Sequence, residues 1–343
     1  MKHSQLTVYK VKSVRVKAKL KCFAVLFLTG MLVFPIFSFL VPDAHAQGAW
    51  QWAGWGHGSL GEGLAPAVDA WGNAYILAST NSNPDTFGTH IVSVSEPLSS
   101  EITVVKYDAN GNYIWGIETK SGGSNYARAI AADNSGDLYL IGSYRDSIRI
   151  ASTVITSSVS GWQTFIAKFT PAGSVAWAEN IDVYPEAIAV LNNHIYLTGL
   201  FVGPSASLCP CTCLNTDPTG VTSDIFIAKI DSNGNPVWLK DYGGAGSDYT
   251  QSICITPSEH LYVSGRFTSP VFPFGSSSLT LTSTSNFFVG KCDSSGNALW
   301  AAGPTGSIIG NQITPVACYK EENAVFVGTL PPFTSQTFGA TTL

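Results

Sequence analysis

One phrase returns four times in this 343-residue chain and constrains its folding more than any other feature. It reads KYDANGNYIW from Lys106, KFTPAGSVAW from Lys168, KIDSNGNPVW from Lys229 and KCDSSGNALW from Lys291. The closing tryptophans, with Trp52 as a forerunner, are Trp115, Trp177, Trp238 and Trp300, at intervals of 63, 62, 61 and 62. The lysines and the turn glycines Gly111, Gly173, Gly234 and Gly296 both step by 62, 61 and 62. Three residue types held in phase over so long a stretch exclude coincidence. A fixed period of this length means one supersecondary unit used repeatedly.

Within a period the strand signals are consistent. Over residues 126–180, YARAIAAD reads as a short apolar strand, NSGD as a turn and LYLIGSY as a second strand. After a longer connection come TFIAKFT, the turn PAG and SVAWAEN. These are four strands, A to D, joined by hairpins. The B-strand phrase also recurs, as NAYILAS, HIYLTGL, HLYVSGR and AVFVGTL. A four-stranded antiparallel sheet repeated in this way is the unit of a β-propeller. One such sheet cannot bury both its faces; blades stacked face to face can. The repeated tryptophan on strand D then fills the gap to the next blade. The fold expected is all-β: four complete blades, with partial blades at both ends.

Two segments flank this array. Residues 1–21 carry seven basic residues and no acid, followed by the apolar run CFAVLFLTGMLVFPIFSFLV and by Ala44-His45-Ala46. That order is the order of a secretory leader, so residues 1–46 read as a signal peptide and 47–343 as the propeller. The rival is an uncleaved anchor, since about 20 apolar residues can span a bilayer; Pro35 and the A-x-A site favour cleavage. At the other end the chain stops after ITPVAC, AVFVGTL and TFGATTL, without the Lys-to-Trp phrase. The array is therefore expected to be C-terminally incomplete.

Removing the leader takes seven of the 18 basic residues and one of the 23 acids, leaving 11 against 22. So acidic a surface argues against nucleic acid or an anionic lipid surface as partner. No other apolar run is long enough to span a membrane, so no membrane insertion is expected after cleavage. The localisation expected is secreted, extracellular or cell-surface, with the periplasm as an alternative.

These residues resemble the bacterial β-propeller repeat called SBBP. Its units run from an apolar strand through Y-V-x-G-x-F and a short F-G segment to D-x-F-V-A-K-Y-D-x-x-G-x-x-x-W. DIFIAKIDSNGNPVW from Asp224 is the nearest counterpart, and the F-G segment stands here as TFGTHI, FPFGSSSLTL and TFGATTL. The resemblance covers residues 50–343. It implies a propeller at the cell surface or outside it, and it carries no agreed catalytic residues.

Chemistry-bearing motifs are sparse. The turns at Asp108, Asp231 and Asp293 faintly resemble a calcium loop but lack its glutamate at position 12; Asp, Asn and Gly are also the residues of a hairpin turn. The spacing departs from the sialidase Asp-box and from the quinoprotein docking motif. Four histidines follow the leader, and His194 and His260 begin equivalent strands, so repetition accounts for them. No catalytic residue, metal site or cofactor is assigned. The CPCTC run allows either a soft-metal site or a local disulfide, Cys209 to Cys213, which an exported protein favours. Cys254 and Cys292, on strands A and C of one blade, lie too far apart to bridge and read as small buried apolar residues.

The A–B and C–D turns are short and lie at one end of the blades. The B–C connections (roughly 80–100, 145–161, 202–221 and 268–284) and the D–A connections share the other end and vary, as binding loops do. Near the start of successive A strands, equivalent positions hold Leu64, Arg128, Glu186, Gln251 and Thr314. With Tyr126, Tyr184 and Tyr249 these polar residues form the candidate ligand-binding rim. The function expected is a binding or scaffold module whose partner is an unidentified protein or glycan. The alternative is an extracellular enzyme acting at that face or through a domain outside this chain.

Overall fold

In a computed structural model the residues described are 5–11, 50–57, 62–80, 85–87, 90–92, 101–121, 123–157, 161–208, 210–303, 316–319, 323–326, 337–338 and 341–342. They are all-β, and the blades are those expected. The first comprises Glu62–Val68, Ala74–Thr80, Glu101–Tyr107 and Tyr113–Ser121. The second comprises Asn125–Ala132, Leu138–Arg145, Trp162–Phe169 and Val175–Ile181. The third runs Tyr184–Leu191, His194–Val202, Ser223–Asp231 and Pro236–Tyr242. The fourth runs Asp248–Ile255, Leu261–Phe267, Asn286–Cys292 and Ala298–Ala302. Each is an antiparallel A-B-C-D meander, and the A strands of successive blades lie side by side. Buried residues of facing blades form shared apolar clusters, such as Tyr139 and Ile141 with Leu197 and Phe226.

The repeated phrase has a physical basis. Strand register sets Tyr75, Lys106 and Trp115 in one row across the first blade. Tyr139–Lys168–Trp177, Tyr196–Lys229–Trp238 and Tyr262–Lys291–Trp300 form the same row in the others. Each ammonium lies over its tyrosine ring, at 4.9, 5.4, 5.2 and 5.3 Å from the centroid. The row also reaches the next blade. Lys106 Nζ and Trp115 Nε1 both donate to the Pro171 carbonyl, at 3.0 and 3.1 Å. Lys168 Nζ and Trp177 Nε1 do the same to Ser232, at 3.3 and 3.1 Å. A lysine so deeply placed needs compensation, and nearby acids supply it: Asp69 at 3.9 Å from Lys106, Asp137 at 2.9 Å from Lys168 and Glu259 at 3.6 Å from Lys229. Burial lowers the pKa of Lys106 from its usual value, and Asp69 partly restores it.

The aspartate turns are hairpin turns. Asp108 Oδ1 accepts from the N–H groups of Asn110 and Asn112, Asp231 from Asn233 and Asn235, and Asp293 from Ser295 and Asn297. The following glycines have φ near +80 to +95°, as Gly111 at 87° and Gly234 at 94°, a region open to glycine at little cost. Gly296 is doubly constrained, since a Cβ there would come within 2.6 Å of the Trp238 ring.

Three sequence readings need correction or extension. The B–C connections are not wholly free loops. Three of them fold into small hairpins, Ser147–Ile150 with Thr153–Thr156, Ser205–Leu208 with Cys211–Leu214, and Val271–Phe274 with Ser277–Thr280, and the connection of the first blade holds a fourth, Asp85–Phe87 with His90–Val92. One face of each of the three is buried, through Ile148 and Ile150, Ala206 and Leu208, and Phe272 and Phe274. The first pairs with the outer strand of the preceding blade, Ile148 opposite Ser121 and Ile150 opposite Thr119. These apolar pairs make the segments wedges in the outer gap between blades, and the constraint is packing rather than sequence repetition.

Cys254 is the second correction. It is disulfide-bonded to Cys318, with Cα atoms 5.6 Å apart. The two are 64 residues apart and lie on the A strand of the fourth blade and its successor strand Val316–Tyr319. Cys292 is buried as expected, and burial pushes its thiol up to about 12.

The flanking segments extend the pattern. Trp50–His57 meets the hairpin Asp85–Phe87 and His90–Val92, Gly56 opposite Phe87, as the first blade's outer strand meets its own wedge. Trp52 therefore sits on an outer strand, as its phase implies. Gln5–Val11, inside the segment read as a leader, pairs antiparallel with Trp50–His57. The apolar run 22–41 and the site Ala44-His45-Ala46 lie outside the described residues, as do Cys209 and Thr314. Among the described residues no helix is long and apolar enough to cross a membrane.

Candidate functional site

The rim positions share one backbone device. In the second blade Ala127 faces Gly142 and Ala129 faces Ile141, leaving Arg128 as an extra residue. Pro185 faces Gly199 and Ala187 faces Thr198, leaving Glu186. Thr250 faces Gly265 and Ser252 faces Ser264, leaving Gln251; Gly63 faces Ala78 and Ala65 faces Leu77, leaving Leu64. Every complete blade thus carries a β-bulge on its inner strand, at the residue that does not repeat. A bulge removes one residue from the ladder and re-aims its side chain. Sequence phase alone located these positions; the extra residue itself is invisible to strand alternation.

The bulge explains the glycine of the B-strand phrase. It presses the carbonyl of the tyrosine preceding it onto strand B. A Cβ on Gly199 would run into the Tyr184 carbonyl and one on Gly265 into that of Tyr249; on Gly142 it would lie 2.7 Å from the Tyr126 carbonyl. In the first blade the small residues are exchanged, Gly63 opposite Ala78.

At the seam of the second and third blades, Arg128 Nη1 lies 3.3 Å from Glu186 Oε2. Their side chains are 41% and 29% exposed, so the pair is open to solvent yet partly shielded. Burial raises the Glu186 carboxyl above its ordinary range, and Arg128 partly opposes this. Tyr126, two residues before Arg128, is 45% exposed and lies 5.0 Å from the Trp162 ring. On Trp162 also lies the Arg145 guanidinium, 4.7 Å from the ring centroid. In the third blade Tyr184 is 41% exposed. In the fourth, Gln251 is exposed and Tyr249 lies under the Arg266 guanidinium at 4.8 Å.

The six rim residues are thus distributed over three inner strands. Arg128 and Glu186 are joined directly; Gln251 stands on the next inner strand. Sequence reasoning missed Arg145 and Trp162 as rim residues. A usable signal existed, because six residues before each repeated lysine the other blades carry Ser100, Ser223 and Ser285.

Buried polar groups fix the loops behind the rim. Asp248 Oδ1 accepts from Thr268 and Ser269 N–H at 3.1 and 3.2 Å, and Oδ2 from Gly244 N–H and Ser269 Oγ at 2.9 and 2.7 Å. One carboxylate therefore ties the D–A connection to the start of a B–C connection. Cys213 is a free cysteine buried on the wedge of the third blade, so the expected bond to Cys209 is not formed. Among the described residues no group of three or more His, Cys, Asp or Glu is placed to hold a metal.

No family model matches the chain. It is similar to an uncharacterized WD repeat-containing protein, L264, of Acanthamoeba polyphaga mimivirus, 24% identical over 274 residues. That similarity covers 65% of this chain and 20% of the viral protein, so the chain spans about a fifth of its relative's length. Among solved structures it is similar to a protein of unknown function from Bacteroides caccae, at a TM-score of 0.40 and 10% identity, covering 75% of this chain and 72% of that one. BamB from Moraxella catarrhalis is similar at a TM-score of 0.29 and 16% identity, covering 75% and 83%. With its four-stranded antiparallel blades, packed inner strand beside inner strand, the chain is a β-propeller.

Proposed function

We propose that this propeller is an exported or cell-surface binding module that engages a protein or glycan through the rim formed by its B–C and D–A ends. One observation carries the reading: each complete blade spends a bulge on one residue, and that residue differs in every blade. A fold repeating its core lysine, tyrosine and tryptophan so strictly has no packing reason to vary Leu64, Arg128, Glu186 and Gln251. Variable side chains on a rigid scaffold are where recognition resides.

Export is supported by the basic segment, apolar run and A-x-A site, by the resemblance to SBBP repeats and by the Cys254–Cys318 bond. Disulfides persist in oxidising compartments.

The test is an array screen of proteins and glycans with the chain from Gln47 onward. Arg128→Ala, Glu186→Gln and Gln251→Ala should weaken the bound ligand without lowering the melting temperature. Asn110→Ala and Asn233→Ala, in the short turns at the other end, should leave binding intact. Loss of binding in the turn variants alone would move the working face to the opposite end.

A further inference from the structure

We infer that the seam between the second and third blades binds a pyranose unit of a neutral glycan, with Trp162 as the stacking platform and the Arg128–Glu186 pair reading its hydroxyls. The inference rests on the rim reading above and narrows it to one place and one ligand chemistry.

The repeat supplies an internal control. The tyrosine, lysine and tryptophan that join strands within each blade recur in all four, which sets apart the residues that do not. Trp162 stands where the other blades carry serine. Arg145, two residues beyond the partner of Tyr126, stands where the third and fourth blades carry Val202 and Thr268. Arg128 and Glu186 are the bulge residues, which do not recur either. These departures gather on adjoining strands of one seam, beside an exposed tyrosine. None of the four is fully buried, so core packing does not account for them.

The chemistry selects the ligand. The Tyr126 ring, 45% exposed, lies 5.0 Å from the Trp162 ring, and the Arg145 guanidinium lies 4.7 Å from the same indole, so these contacts fix the orientation of an aromatic pair at small entropic cost. The negative face of such a ring attracts partly positive C–H groups, and one face of a pyranose presents them. Arg128 offers only donors and Glu186 only acceptors, 3.3 Å apart. A hydroxyl is both donor and acceptor, and is a neutral group able to satisfy both members of such a pair. A carboxylated sugar would meet Glu186 and an ammonium would meet Arg128, so charge of either sign is disfavoured.

Titration calorimetry of the chain from Gln47 onward against neutral gluco-, manno-, galacto- and xylo-oligosaccharides, with uronic-acid oligosaccharides beside them, tests this. At least one neutral series should bind. Trp162→Ala and Glu186→Gln should each weaken it by about tenfold or more, equivalent to ~1.4 kcal/mol. Trp162→Tyr should retain most of the affinity, and Trp300→Ala, on the fourth blade, all of it. Should Trp162→Ala fail to fold, the Glu186→Gln and Arg128→Gln arms decide. Binding of uronic-acid series alone overturns the neutral assignment, and neutral binding indifferent to Trp162 and Glu186 overturns the seam. If a protein binds the rim and no oligosaccharide does, this inference falls while the rim reading stands; if nothing binds there, both fall.

Discussion

The indole N–H of Trp177 and the ammonium of Lys168 share the carbonyl of Ser232, one blade further on. Neighbouring blades are thus joined by a hydrogen-bonded ring as well as by apolar contact. Trp177→Ala removes both and should cost about 3 kcal/mol. Trp177→Phe keeps most of the contact and should cost about 1 kcal/mol, near one hydrogen bond. Trp300, 39% exposed, should tolerate alanine far better. Urea denaturation would order the three, and equal small losses at Trp177 and Trp300 would reject an interblade role.

Glycine on strand B is required by the bulge opposite. Gly199→Ala and Gly265→Ala each drive a methyl group into a backbone carbonyl, so the bulge or the strand must shift. Each should lose about 2–3 kcal/mol, the range for overpacking in a tight site. Gly161, with open space around its Cβ direction but φ of 121°, tests backbone strain separately. If Gly199→Ala unfolds at the parental midpoint, the bulge is not locked by close approach.

The Cys254–Cys318 bond closes 64 residues of chain. On the chain-entropy model such a loop contributes up to about 4 kcal/mol. Thermal unfolding with and without reductant should therefore show a lower midpoint under reduction, and Cys254→Ala should abolish the difference. Persistence of that difference in the variant would trace it to another pair.

Acidity should act on Glu186. Folding raises its carboxyl above the ordinary 4.5, chiefly by burial. The folded state then holds the proton more tightly than the unfolded one. Its contribution to stability is greatest below the ordinary value and is lost as pH rises through the raised one. Glu186→Gln should flatten that segment of the stability profile, measured by urea midpoints between about pH 4 and 7. An unchanged slope would mean that another group titrates there.

Export makes a separate prediction. N-terminal sequencing of the secreted product should begin at Gln47 or within a few residues of it. Cleavage there would also remove Gln5–Val11 from its place beside Trp50–His57, and an intact Met1 chain in the membrane would contradict the leader.

The blade and its strand order were legible because three residue types repeat in phase. The reason for the lysine was not: its role depends on a carbonyl 65 residues away, at Pro171 for Lys106. The bulges escaped because one extra residue leaves the apolar pattern of a short strand almost unaltered. The wedges escaped because Ile148, Leu208 and Phe272 do the same work with different side chains. The partner of Cys254 is hidden by distance in sequence, since Cys318 lies 64 residues on, on the corresponding strand, whereas Cys292 is nearer and in the same blade. For the rim, phase singled out Arg128 and Glu186; their ion pair needed coordinates.

The lysine and tryptophan of the first two rows donate forward, to the turn of the blade that follows: Lys106 and Trp115 to Pro171, Lys168 and Trp177 to Ser232. The contact therefore has a direction, joining unlike surfaces head to tail. At both junctions the donors are the same pair and the acceptor is a backbone carbonyl of the turn between strands C and D. A unit carrying this lysine, tryptophan and turn could be inserted at either junction with these bonds preserved, while its bulge residue and wedge changed. The side chains at the bulges can thus differ from blade to blade, like beads on a string, apart from the joints.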